Sequence, residues 1–301
     1  MGRRISPALR GNLLLLLTAA IWGFAFVAQK EGGAELGSLT FNGVRSFLGG
    51  GLLLVLLPVL DRFGLSHKPT TAKEKKTLWL GGVLCGLALF GATNLQQLGL
   101  ATTTTGKGGF ITALYIVLVP VFGLFVRRRT TVFHWLGVLL AVAGMYLLCM
   151  QGESGIGEGE LLVMACAPVL AVQILLVDYF APRTDCIRLS CIQFFTVGVL
   201  NLPLMFAFET PSLSAMTECW VSVAYAGLLS SGVAYTLQIV AQKDTHPTTA
   251  SVLMSVESVF AVLAGMLLLG DRLSAWETAG CVVMFAAVIL AQLPTPKRKG
   301  P

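Results

Sequence analysis

VRRRTTVFHWLGVLLAVAGMYLL, Val126 to Leu148, and LGDRLSAWETAGCVVMFAAVILA, Leu269 to Ala291, read as two copies of one pattern. Each ends a long apolar run and turns at a charged step, with Arg129 over Arg272. An aromatic follows, Phe133 over Trp276, then a glycine, Gly137 over Gly280, then a second apolar run. The fold therefore depends on how many helices separate the copies and in which sense each crosses a membrane.

The composition places the chain in lipid. Of 301 residues 55% are hydrophobic and 12% charged, with a mean hydropathy of +0.79, against roughly 25% charged residues in soluble domains. Apolar runs near the roughly 20 residues needed to span a bilayer recur at about 11–29, 38–60, 78–99, 105–126, 133–150, 159–178, 189–208, 219–241, 248–270 and 275–292. They are too long, and lack the alternation, for transmembrane strands. The first run follows Arg3, Arg4 and Arg10 but has no convincing small-residue cleavage site near Phe26 to Ala28, and reads as an uncleaved helix.

Ten runs divide into five and five. An odd repeat forces the two copies to cross in opposite senses, so the expectation is an all-α polytopic membrane protein of ten transmembrane helices in two inverted five-helix repeats, 1–151 and 152–301. Basic residues agree. With both termini cytoplasmic, 17 of the 21 lysines and arginines fall on the cytoplasmic side. Lys30 and Arg272 fall outside, and Arg45 and Lys107 fall within helices. The net charge of +6 then reports topology and contact with anionic lipid, with no nucleic-acid role. Inverted halves give two alternative closures, the architecture of a carrier.

Familiar chemistry is missing. TTTTGKGG, Thr102 to Gly109, fails as a phosphate-binding loop, because the position five before Gly106 is Ala101 and Gly108 follows Lys107. The seven cysteines form no C-x-x-C pair and no histidines stand at metal-ligand spacing, so neither a cofactor nor a metal nor an enzymatic centre is expected.

Family resemblance appears in several motifs. ESVFAVLAGMLLLGDRLSAWETAG, Glu257 to Gly280, resembles the ninth-to-tenth helix segment of the EamA family in the drug/metabolite transporter superfamily. AAIWGFAFVAQK, Ala19 to Lys30, is similar to its first-helix motif, Arg45 stands where its second helix carries arginine, and FITALYIVLVP, Phe110 to Pro120, resembles a fourth helix of one branch. The resemblance implies ten helices, inverted repeats, export or exchange of small metabolites, and a wall built mainly from helices three, four, eight and nine. Ser258 replaces the proline usual after the glutamate, which would leave helix nine straighter, and Asp271 replaces a glutamate with its charge kept.

Candidate site residues follow from depth. Glu257 lies near the midplane and Arg45 about seven residues from a helix end, positions that cost at least roughly 2.5 kcal/mol unless the charge pairs or faces water. Glu257 is either a proton carrier in the central cavity or a static structural partner of Arg45, a backbone carbonyl or a polar helix face. Lys107, one turn inside helix four among glycines, is a clamp for an anionic group of the substrate, a lysine reaching the interface, or a partner of Glu31 or Glu35. Tyr115, eight residues on, would share its helix face, and Trp22, Asn94 and Gln238 sit at useful depth.

The expected function is a secondary transporter of small polar or zwitterionic metabolites, amino acids or related compounds first, by alternating access. Export coupled to protons leads. Uptake or antiport of an anionic metabolite, with Lys107 as counter-charge, is the second carrier reading, and a membrane scaffold, receptor or channel is the reading outside transport. The expected partners are the solute, protons, the bilayer of the cell inner (plasma) membrane, and at most a second copy, as a monomer or homodimer.

Overall fold

The structure is a computed structural model and describes residues 6–103, 105–127, 130–149, 157–269 and 275–291. Among them the chain is helical throughout. We number the membrane helices α1 (Pro7–Leu36), α2 (Ser38–Arg62), α3 (Ala72–Thr102), α4 (Thr105–Thr112 and Tyr115–Phe125), α5 (Val132–Cys149), α6 (Glu158–Phe180), α7 (Cys186–Phe208), α8 (Trp220–Gln242), α9 (Pro247–Met254, Glu257–Ala264 and Gly265–Leu269) and α10 (Ala275–Ala291). Eight are long and apolar enough to cross a membrane, and α5 and α10 contribute the shorter apolar stretches Val132–Gly144 and Thr278–Leu290. Phe125, Val55, Phe206, Leu267 and Val282 are exposed on the outside, a surface suited to lipid. The chain is a multi-pass membrane protein of ten helices in two inverted five-helix repeats.

The main packing runs between the repeats. Helix α1 lies against α8 and α9 of the second half, and its equivalent α6 lies against α3 and α4 of the first. Helices α2 and α7 pack together, as do α5 and α10, and the related pairs α2–α8 and α3–α7 complete the interleaving. Because lipid removes the hydrophobic drive between helices, close approach of backbones supplies the adhesion. A Cβ on Gly99 of α3 would stand 2.6 Å from the carbonyl of Gly159 in α6, and one on Gly159 2.7 Å from that of Gly99. The related crossings α2–α8 and α3–α7 use Gly49, 3.0 Å from Gly227 O, and Gly86, 2.9 Å from Gln193 O.

The N-terminus of α2 is capped from far along the chain. Glu209, beyond the end of α7, accepts from Leu39 N at 3.0 Å and from Thr40 N and Oγ1, each at 2.7 Å. A carboxylate there satisfies free N–H groups and complements the helix dipole. Gly37 makes room, with φ of 84° and a would-be Cβ only 2.5 Å from Glu209 Cδ.

Two helices are broken at matching places. The first piece of α4, Thr105–Thr112, and that of α9, Pro247–Met254, each hold 8 residues. Both end in a tight turn before the second piece begins at Tyr115 or Glu257. Leu114, Ile116 and Val117 donate to the carbonyls three residues back, as do Ser258 and Val259, the bonding of a 3₁₀ turn. Sequence reasoning expected a straighter helix nine from Ser258 in place of proline, and the structure corrects it. Ser251, Ser255 and Ser258 each donate their hydroxyl to the carbonyl three residues earlier, and such back-bonding bends a helix without proline. Helix α8 departs in another way, with the π-helical stretch Tyr225–Ala234 at its middle.

Candidate functional site

The breaks in α4 and α9 face one another across a small central cavity of about 30 Å³. Thr112 and Tyr115 flank one break and Met254 and Glu257 the other, and all four line it. Helix α1 adds Trp22, Phe26 and Gln29, its equivalent α6 adds Leu170, Gln173 and Ile174, and α8 adds Ser230, Tyr235 and Gln238. Arg45 of α2 and Gln96 of α3 complete the lining. The wall expected from helices three, four, eight and nine is thus shared equally by α1 and α6, because each first helix of a repeat packs into the other half.

Arg45 is 4% exposed and Glu257 4% exposed. Neither makes an ion pair among the described residues. The guanidinium of Arg45 lies 5.6 Å from the centre of the Phe41 ring, a cation–π contact. Glu257 Oε1 accepts from the Tyr115 hydroxyl at 3.3 Å. The two groups are therefore not each other's static partner: one cavity holds a cation contributed by the first repeat and a carboxylate contributed by the second.

Several other polar groups around the cavity are unmatched. Trp22 Nε1, a donor, and Gln29 Oε1 and Gln238 Oε1, acceptors, have no hydrogen-bond partner among the described residues. Trp22 is held by Tyr235, ring centres 4.5 Å apart at 54°, and Tyr235 in turn meets Phe194 edge-on at 5.3 Å. In a membrane interior an unmatched polar group costs several kcal/mol, so a guest that supplies the missing partners is favoured.

Of the residues singled out from sequence, Trp22, Arg45, Tyr115, Gln238 and Glu257 come together here. Asn94 is turned elsewhere, accepting from Asn42 Nδ2 at 2.8 Å and tying α3 to α2. Lys107 belongs to the first piece of α4, and its side chain lies outside the described residues. The break at 113–114 also removes the simple eight-residue spacing that was to place Tyr115 on its face. Gln96 and Thr112 were missed: they meet at 3.1 Å in the cavity wall. The neighbouring Gln97 instead donates its amide to Gln29 O at 2.8 Å. The depth is the same for both glutamines, and only the rotation of α3 separates them.

The two ends of the cavity differ. On the face where α1 ends, Lys30 Nζ donates to Thr103 O at 2.6 Å, Thr103 Oγ1 donates to Glu160 Oε1 at 2.6 Å, and Ser222 Oγ donates to Glu31 Oε2 at 3.0 Å. These bonds join α1, α3, α6 and α8 across that mouth. On the face where α1 begins, a vestibule of about 650 Å³ opens between α1, the α2–α3 and α6–α7 turns and the end of α8, with Arg10, Lys68, Arg183 and Lys243 in its wall.

A model of the EamA-like transporter family matches residues 9–150 and again residues 157–293. An uncharacterized transporter of Archaeoglobus fulgidus is 29% identical, across 95% of this chain and 86% of its own length. The uncharacterized inner membrane transporter YedA of Escherichia coli is 27% identical, across 91% of this chain and 87% of its own. A solved crystal structure superimposes with a TM-score of 0.77 over 94% of this chain and 98% of its own, at 19% identity, a likeness of fold. The chain belongs to the EamA-like transporter family and is a membrane transporter.

Proposed function

We propose that this transporter carries a small zwitterionic solute, an amino acid or a close relative, and that it holds the solute between Arg45 and Glu257. The observation that supports this reading is the presence of both charges in one cavity, contributed by opposite repeats and with no ion pair among the described residues. A carboxylate on the solute would take Arg45 and the Trp22 indole N–H. An ammonium would take Glu257, with Gln29 and Gln238 as neutral acceptors. Each buried charge then gains a counter-charge when the solute is bound, which offsets part of the cost of keeping it in the membrane.

Alternating access would move the two halves about this site, opening first one mouth and then the other. With both termini in the cytoplasm, as the basic residues favour, the vestibule faces inward and the bonds around Thr103 close the outer mouth. Export coupled to proton entry is the direction we favour, with Glu257 exchanging its proton for the ammonium of the solute. The two lobes 1–151 and 152–301 would be the units that move.

Thermal melting of the purified protein against a solute panel tests the reading. Free amino acids should raise the melting temperature, while their methyl esters and N-acetyl derivatives, each lacking one charge, should not. Stabilisation by dicarboxylates or phosphorylated compounds with none by amino acids would replace the zwitterion with an anion.

A further inference from the structure

Four glutamines connect the central cavity with the vestibule. Gln238 Nε2 of α8 donates to Gln173 Oε1 of α6 at 3.4 Å and to Gln242 Oε1 at 3.2 Å. Gln173 Nε2 donates to Gln193 Oε1 of α7 at 3.2 Å. Gln173 and Gln238 line the cavity. From Gln238 the row descends one turn, roughly 6 Å, to Gln242 at the end of α8, and Thr245 follows in the turn beyond. Thr245 Oγ1 stands 2.5 Å from where a Cβ on Gly11 would lie, and Gly11 is part of the vestibule wall. The row thus spans the layer that separates the two spaces.

All four amides are at most 1% exposed, and the row is only half satisfied. Gln193 Nε2, Gln238 Oε1, Gln242 Nε2 and Thr245 Oγ1 have no hydrogen-bond partner among the described residues. An apolar plug would close this layer without unmatched groups, and a partly satisfied polar network is costlier than an apolar one. The unmatched atoms alternate between donors and acceptors and carry no net charge. That pattern suits a solute that itself presents both a donor and an acceptor and has no net charge.

We propose that Gln173, Gln193, Gln238 and Gln242 form a second station on the transport route, an amide-lined passage that takes a neutral or zwitterionic solute between the central cavity and the vestibule. The station rests on the transporter reading but not on the identity of the guest held by Arg45 and Glu257. In this arrangement the solute exchanges one set of hydrogen bonds for another as α6, α7 and α8 part, and the amides meet water in the open state. Net anions and cations gain no counter-charge here, so the passage adds a second selection for net neutrality.

The test is thiol labelling of the reconstituted full chain. Gln242→Cys and Gln193→Cys are compared with Ile239→Cys, since Ile239 is also fully buried on α8 but packs in an apolar cluster with Leu78 and Val177. A zwitterionic, membrane-impermeant methanethiosulfonate is applied, and peptide mass mapping reads each site separately from the native cysteines. The expected result is labelling at positions 242 and 193 at least tenfold faster than at 239. Equal rates at all three would overturn the proposal and leave the amides as static packing. Either glutamine position alone decides the matter if the other variant does not purify. Because the probe is the reagent itself, a failure of the zwitterion reading in the melting panel leaves this result interpretable.

Discussion

Gly23 offers a severe test of how the site is held. It lies in α1 where that helix crosses the break of α9. A Cβ there would stand 2.3 Å from Phe260 Cβ, 2.7 Å from Glu257 O and 2.8 Å from Ala261 N. Ordinary carbon contacts begin near 3.5 Å, so Gly23→Ala requires α1 and α9 to separate by about 1 Å. Two of the three obstructing atoms are backbone, and the third is a Cβ, so no side chain can rotate away. The strain should cost about 1–3 kcal/mol, and the separation carries with it the piece of α9 that begins at Glu257. Gly51 of α2 is the control, since nothing lies within 4 Å of its would-be Cβ. Gly51→Ala should be neutral or stabilising by up to about 1 kcal/mol through helix propensity. The assay is thermal melting of both purified variants together with flux in proteoliposomes of the best stabilising solute. Gly23→Ala should melt several degrees lower and lose at least tenfold in flux, with Gly51→Ala at or above wild type in melting. Wild-type melting and flux in Gly23→Ala would refute the claimed closeness of α1 to the α9 break.

Other consequences follow from named contacts. Tyr115→Phe removes the hydroxyl that meets Glu257, and should destabilise the protein by about 1–3 kcal/mol, read as a fall in melting temperature that a second change, Glu257→Gln, largely cancels. Thr103→Val removes the bond to Glu160 and should shift the balance between the two closures about 2- to 10-fold toward opening of that mouth, for roughly 0.5–1.5 kcal/mol; spin-label distances between the ends of α3 and α6 would report it. Arg188 Nη2 donates to both carboxylate oxygens of Asp61, at 2.9 and 2.7 Å, while its Nη1 donates to Ser66 Oγ, a fork that ties the start of α7 to the end of α2 and the turn after it. Arg188→Lys keeps the charge but not the fork, and should lower the melting temperature without changing which solutes stabilise the protein.

Much of the architecture was visible in hydropathy and charge. The inverted repeat, the ten helices and the burial of Arg45 and Glu257 all follow from long apolar runs, an odd helix count and charges that fall inside those runs. Helix ends were less visible: α1 extends over Pro7–Leu36, well beyond the apolar window of 11–29, because polar helical turns continue past the hydrocarbon. The breaks in α4 and α9 carried no local signal, since Ala113–Leu114 and Ser255–Val256 contain neither glycine nor proline. They arise from 3₁₀ bonding and serine back-bonds that tertiary packing selects. Which face of α3 meets the cavity was equally hidden, so Gln96 escaped notice while Asn94, committed to Asn42, drew it. Nor could spacing reveal that α1 and α6 furnish walls, because that depends on each packing into the opposite half.

The claim on which the account turns is that Arg45 and Glu257 read opposite ends of one solute. Crossing variants with solute derivatives measures it directly, by titrating the melting temperature of wild type, Arg45→Gln and Glu257→Gln with a stabilising amino acid, its methyl ester and its N-acetyl form. Arg45→Gln should no longer distinguish the amino acid from its ester, Glu257→Gln should no longer distinguish it from the N-acetyl form, and each variant should keep the other discrimination. Wild-type discrimination in both variants would contradict that claim.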